Sequence, residues 1–162
     1  MIIRAAGDRD RGDIVDLYRA SQAATGIPNP TVYSPETLGD ELYSRDAIER
    51  HVAVIGGKIV GHGLIEHPNP LSIELWRAGI ADSAARLIEF GGAFVDPLHM
   101  RKGIYTRVLS YQLEIIHGLG AFPVAATWKQ NEHVQRLFSA NGGREVAKQE
   151  IPAGELRLFV FE

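Results

Sequence analysis

Cysteine is absent from the 162-residue chain, which excludes disulfides, thiolate nucleophiles and zinc-thiolate sites together. Without such staples the fold must rest on burial, and a chain of this length is the size of one domain with a core of its own. No apolar run approaches the roughly 20 residues that a membrane-spanning helix needs, so a bilayer is not an expected partner. An excess of charge of one sign is also missing: 17 Lys and Arg stand against 20 Asp and Glu, for a formal net charge of -3. Nothing resembles the basic stripe that a phosphate backbone demands, so nucleic acid is not expected as a partner. Met1-Ile2-Ile3-Arg4-Ala5 meets Asp8 and Arg9 before any apolar signal region develops, and the expected location is the cytoplasm.

What the chain does contain is periodic. Ile2 to Ala5 reads as a short strand, and Ile14, Leu17 and Tyr18 recur at helical spacing in a helix from about Asp10 to Ser21. Ser34 as cap and Pro35 at the first helical position announce a second helix, carrying Leu38, Leu42 and Ile48. Two β-rich runs, His51 to Ile55 and Ile59 to Ile65, flank Gly56-Gly57-Lys58 and predict a hairpin. His67-Pro68-Asn69-Pro70 then opens an insertion at about residues 67–86, where Ile73, Trp76 and Ile80 suit a short helix or a surface loop.

Leu87 to Val95 is a strand interrupted by Gly91-Gly92, a pair that marks a bulge or a close backbone approach. Gly103 to Leu119 is the clearest helix, with Ile104, Val108, Tyr111 and Ile115 on one stripe and Gly118 and Gly120 to stop it. A strand at Phe122 to Thr127, a helix at Asn131 to Ala140 and strands at Arg144 to Ile151 and Glu155 to Phe161 complete the order. One hairpin and two strand-helix-strand crossovers predict an α+β fold, an α/β/α sandwich with a mixed sheet of about seven strands and helices on both faces, in one domain over residues 1–162.

The segment from Gly91 to Leu109 joins a bulged strand, a loop with two cations and a glycine opening a buried helix. First-turn N–H groups have no partner within the helix and sit at its positive dipole end, so successive amides exposed there can cradle a diphosphate. Arg101 and Lys102 add charge, and Gly103 leaves the backbone open to a ligand. An ordinary strand-to-helix turn with a solvated Arg-Lys pair accounts for the same residues equally well.

This segment resembles the acyl-CoA signature of the GNAT superfamily of N-acetyltransferases, Arg/Gln-x-x-Gly-x-Gly/Ala, which follows a bulged fourth strand and opens the third helix. Gly103 matches, Met100 stands where Arg or Gln is usual, and Tyr105 takes the final small position. The likeness runs over the whole chain: the element order, the Gly56-Gly57-Lys58 hairpin followed by Ile59-Val60-Gly61, the strand ending Phe94-Val95-Asp96-Pro97, and Asn131 to Phe138, similar to the family's Asn-x-x-Ala-x-x-Leu-Tyr. Gly143 stands where the family often has Phe. The resemblance implies a mostly antiparallel sheet splayed between strands 4 and 5, with the pantetheine of acetyl-CoA in the gap like an extra strand. Main-chain groups of Phe94 and Val95 would pair with pantetheine amides, an N–H there polarising the thioester carbonyl. The amides of Arg101, Lys102, Gly103, Ile104, Tyr105 and Thr106 would hold the pyrophosphate. Asn131 would fix the pantetheine arm or serve as an ordinary helix cap.

The activity so implied is direct transfer of an acetyl or other short acyl group from acyl-CoA to a primary amine on a small molecule or peptide; the alternative is a non-catalytic acyl-CoA-binding module. An amine of pKa near 10.4 is neutral in roughly one molecule in 2,500 at pH 7, so the reaction needs a base. Glu89, the one acidic residue in Leu87 to Val95 and two residues before Gly91, is the candidate, with Glu66 in reserve; a carboxylate on a solvated strand face is the other reading of Glu89. Phe138 stands where the family has the Tyr that protonates the leaving thiolate, which leaves Ser139, Tyr105 or water as donors and makes Phe138 a core candidate. His51, His62 and His67 lack metal-ligand spacing, so no metal is expected, and a place in the acceptor pocket or plain strand positions remain open for them. Trp76 with Tyr18, Tyr33 and Tyr43 would make an acceptor wall, or pack the insertion. The sequence leaves a homodimer open.

Overall fold

In the computed structural model, which describes residues 1–25 and 47–162, the periodic segments resolve in chain order into β1 (Ile2–Ala5), α1 (Arg11–Thr25), β2 (Ala47–Ile55), β3 (Lys58–Glu66), α2 (Ile73–Arg77), β4 (Leu87–Val95), α3 (Ile104–Gly118), β5 (Phe122–Trp128), α4 (Glu132–Ala140), β6 (Gly143–Ile151) and β7 (Gly154–Phe161). The strands form one seven-stranded sheet in the order β1-β2-β3-β4-β5-β7-β6. The expected helix from Ser34 with Leu38 and Leu42, and the aromatics Tyr33 and Tyr43, lie outside the described residues. Two compact units divide the chain: residues 1–66 with 92–112, and residues 67–91 with 113–162.

In the first unit, β1 pairs antiparallel with β2, and β2 with β3. The hairpin turn places Gly56 and Gly57 at φ 58° and 82°, so both central residues are left-handed, which is the twist-matched two-residue connection and explains the glycine pair. Ile48 belongs to β2 and not to a helix, because the ladder with β3 runs back to Ala47 opposite Glu66. On one face Ile14, Leu17 and Tyr18 of α1 bury against Val52, Ile59 and Phe94. On the other, Ala53 and Val60 bury against Ile104 and Val108 of α3. The entry to α1 is fixed by Asp10, which accepts from Arg4 at 2.6 and 2.8 Å and from the Gly7 amide at 2.8 Å. The Arg4 hydrogen bond chiefly, against the opposing effect of burial, holds the Asp10 carboxyl down to about 2.

In the second unit, β4 runs parallel to β5 through Leu87↔Phe122, Ile88↔Pro123 and Glu89↔Val124, and the ladder stops there, short of the ends of both strands. β7 pairs antiparallel with β5 and β6. The inserted segment is fastened to β6: Ser72 Oγ donates to Gln149 Oε1 at 2.7 Å, and Gln149 Nε2 donates to the Leu71 carbonyl at 3.1 Å. A Cβ on Gly79 would lie 2.4 Å from Val146, so backbone meets side chain directly there. Trp76 is wholly buried by this packing. Phe138 of α4 is also buried, edge-on to Phe90, Phe159 and Phe161 at 5.3–5.7 Å. Gly143 is required by the same cluster, since a Cβ there would come within 2.7 Å of the Phe161 ring. Among the described residues no helix is long and apolar enough to cross a membrane.

Candidate functional site

The second half of β4 and the start of α3 lie in the first unit, with every expected diphosphate contact among them. Gly92 has φ 54°, and a Cβ there would crowd the Leu64 Cβ at 3.2 Å, so the bulge needs glycine for conformation and for space. Two residues on, the Phe94 ring is buried, edge-on to Tyr18 at 5.3 Å, while Val95 is half-buried against the Ile104 cluster. Tyr18 is therefore a core residue of this unit, as Trp76 is of the other, and neither is free to form an acceptor wall.

Asp96 then turns the chain. Its amide donates to the Val60 carbonyl at 2.9 Å, and its Oδ1 caps the 3-10 turn Pro97–His99 by accepting from the Leu98 amide at 3.0 Å. Its Oδ2 takes Lys58 Nζ at 2.9 Å and lies 3.2 Å from His99 Nδ1. Burial raises the pKa of this carboxyl, but Lys58, the Leu98 amide and His99 outweigh it and the net shift is downward, so Asp96 stays ionised. The hairpin turn is thereby tied to the loop that leads into α3. Lys102 Nζ donates back to the Leu98 carbonyl at 3.0 Å.

Arg101 at φ 61° and Gly103 at φ 73° are both left-handed, the former without the licence of glycine. The first bond of α3 runs from the Arg107 amide to the Gly103 carbonyl at 3.1 Å. Among the described residues the amides of Arg101 through Thr106 donate to no backbone carbonyl with hydrogen-bond geometry. Arg101, Lys102 and Gly103 are exposed, and among the described residues a Cβ on Gly103 would meet no atom within 4 Å. Ile104 is the anchor beneath, buried to 3%. Tyr105 and Thr106 are half-buried, and burial pushes the Tyr105 phenol upward, so it remains protonated at neutral pH. Among the described residues, six amides without a backbone acceptor, a dipole end and two cations are the features that a diphosphate seat would use.

Glu89 and Asn131 lie in the second unit. Glu89 stands opposite Val124 and is half-buried; its Oε2 accepts from the Asn69 amide at 2.8 Å. Asn131 occupies the cap position of α4, yet its side chain makes no capping bond; its carbonyl accepts from Val134 and Gln135. A cleft of about 570 Å³ in this unit, lined by Lys129, Arg136, Ser139 and Arg157 among others, includes neither Glu89 nor Asn131. Of the central histidines, His51 and His62 are buried and His67 is exposed. Burial lowers His51 to about 4 and His62 to about 3, so both are neutral. Among the described residues no three His, Asp or Glu side chains are grouped as metal ligands would be. The Asp96 turn was open to sequence reasoning through its Asp-Pro pair, a cap followed by proline at the first helical position. The bond from His62 Nδ1 to the Gly92 carbonyl, at 2.8 Å, spans 30 residues and had no local signal.

No family model matches the chain, and no curated protein matches its sequence. Structural likeness is extensive. A GCN5-related N-acetyltransferase from Kribbella flavida superposes over 98% of this chain and 95% of its own, with a TM-score of 0.72 at 15% identity. The fold is that of the GNAT N-acetyltransferases. The ribosomal-protein-alanine N-acetyltransferase from Brucella melitensis also superposes, at TM-score 0.72 and 20% identity over 99% of this chain and 98% of that one. A third is yncA from Salmonella typhimurium, solved with its cofactor acetyl-CoA, at TM-score 0.73 and 19% identity over 100% and 93% of the two chains. In the GNAT fold the element order and the seven-stranded mixed sheet are accounted for from end to end.

Proposed function

We propose that the chain moves an acetyl or other short acyl group from acyl-CoA to a primary amine, by direct transfer without a covalent enzyme intermediate. The observation that carries this reading is the row of unpaired amides from Arg101 to Thr106 at the entrance to α3, behind a bulged strand. These amides would hold the diphosphate, with Arg101 and Lys102 adding charge. Main-chain groups of Phe94 and Val95, and the Asn131 side chain that does no capping, would take the pantetheine arm. When bound, acyl-CoA supplies an activated acyl group on a thiolate leaving group.

Glu89 would take the proton from the acceptor ammonium, and the Asn69 amide at Oε2 fixes the orientation of its carboxylate. With Phe138 in the aromatic core, the thiolate proton would come from solvent, Ser139 or the Tyr105 phenol. Losing a dedicated general acid slows such a reaction by a factor on the order of 10² to 10⁴ without abolishing it. The acceptor would be a small-molecule or peptide amine, and the chain would act as a single domain in the cytoplasm.

Calorimetric titration with CoA and acetyl-CoA tests the seat, and an amine panel read by thiol release tests the chemistry. A ligand at a hundred times its Kd stabilises the native state by about 2.7 kcal/mol. A chain of this size should then melt about 5–11 °C higher. Absence of binding overturns the proposal. Turnover that survives Glu89→Gln at the wild-type rate removes Glu89 as the base.

A further inference from the structure

His62 makes an arrangement that the transferase reading leaves unused. It is buried to 1% exposure on β3, and its Nδ1 lies 2.8 Å from the Gly92 carbonyl oxygen. A carbonyl can only accept, so Nδ1 carries the proton and donates, and the neutral ring's Nε2 is left as a bare acceptor. Among the described residues that buried Nε2 has no hydrogen-bond partner. The ring also lies flat on Phe94, with centroids 4.5 Å apart and planes 18° from parallel. One side chain thus grips β4 at two points two residues apart: the carbonyl at the left-handed turn of the bulge and the ring that follows it. An apolar ring would fill the space and stack as well, without stranding a nitrogen in the core. What the imidazole adds is the donor to Gly92.

The Gly92 carbonyl shares a rigid plane with the Ala93 amide, so holding the oxygen sets the direction of that N–H. The stack on Phe94 then restrains the next Cα. We propose that His62 is a positioning residue for acyl transfer: it fixes the peptide planes from Gly92 to Val95, and with them the aim of the main-chain donors at the thioester. This rests on the acyl-CoA reading for its catalytic consequence but not for the anchoring itself. Donors that stabilise developing charge must be aimed in advance, and small misplacements lose large factors in rate.

Two substitutions separate the donor from the ring. His62→Phe keeps the stack and the burial without a donor; His62→Asn places an amide N–H near the position of Nδ1 without the ring. Residue-resolved amide exchange at Ala93 to Val95 is measured in the free protein, alongside kcat and KM for acetyl-CoA. In His62→Phe we expect exchange there at least about tenfold faster and kcat lower by about ten- to a hundredfold, with a smaller change in KM. His62→Asn should recover most of both, even if it melts no higher than His62→Phe. Wild-type exchange and kcat in His62→Phe, or no recovery in His62→Asn, overturns the proposal. A wild-type protein that neither binds nor turns over acetyl-CoA refutes the transferase reading instead, and the exchange measurement then decides the anchoring alone.

Discussion

Replacing Gly103 by alanine separates the shape of the loop from what the loop holds. At φ 73° an L side chain costs about 1–2 kcal/mol. Among the described residues a Cβ on Gly103 meets no atom within 4 Å, so the cost to the free protein is that conformational part. For a chain of this size the loss lowers Tm by about 2–8 °C. A diphosphate oxygen taking the Gly103 amide would, in contrast, meet the new methyl. Loss of one charge-assisted hydrogen bond weakens acetyl-CoA binding by about 1.5–3 kcal/mol, or about ten- to a hundredfold in Kd. Gly56 is the matched control: it has φ 58°, its Cβ would also meet nothing within 4 Å among the described residues, and it sits in the hairpin turn. Gly56→Ala should cost the same Tm and leave Kd unchanged in calorimetric titration. If Gly103→Ala binds acetyl-CoA as tightly as wild type, the amides of Arg101 to Thr106 are not the diphosphate seat. If Gly56→Ala weakens binding equally, the loss reports stability and not contact.

The buried histidines set an acid limb: the unfolded chain protonates them near 6.5, while burial holds the folded chain's His51 to about 4 and His62 to about 3. Stability therefore falls as pH drops below 6.5, by up to about 1.4 kcal/mol per pH unit for each histidine, and urea titrations of His51→Phe should show one such contribution removed. At lower pH Asp10, depressed from 3.8 to about 2, stabilises the fold above its unfolded value and ceases to do so as pH falls through its folded one. Asp10→Asn should flatten that segment of the acid-unfolding curve, and an unchanged curve would show that the Arg4 pair is not coupled to folding. Restoring the hydroxyl with Phe138→Tyr puts a polar group among three phenyl rings at 5.3–5.7 Å. It should destabilise the chain by about 1–3 kcal/mol with no gain in thiol release, and faster turnover would contradict the packing described for α4.

Local chemistry made much of the fold legible. Gly56-Gly57 encodes its own turn, and the stripe on α3 encodes the burial of Ile104 and Val108, with Tyr111 and Ile115 half-buried. Features set by distant partners were hidden. Ile48 suits a helical stripe as well as a strand, and the ladder reaching Glu66 decides it. The inserted segment looked like surface because Gly79 meets Val146 and Ser72 meets Gln149 only after folding. At the site, the Arg101-Lys102-Gly103 loop was readable from composition and context. The bonds that orient it, from Lys58 to Asp96 and from His62 to Gly92, cross 38 and 30 residues and leave no periodic trace. The Asn69 amide bound to Glu89 is equally non-local.

Arg101 is the one described non-glycine residue with positive φ. A glycine in its place would relax the backbone by about 1–2 kcal/mol and, in the same stroke, strip a positive charge from the mouth of the proposed seat. If Arg101 serves the proposed acyl-CoA seat, any search for hardier variants of this protein will tend to select against nucleotide binding at this position, and thermal screening should be run with acetyl-CoA present.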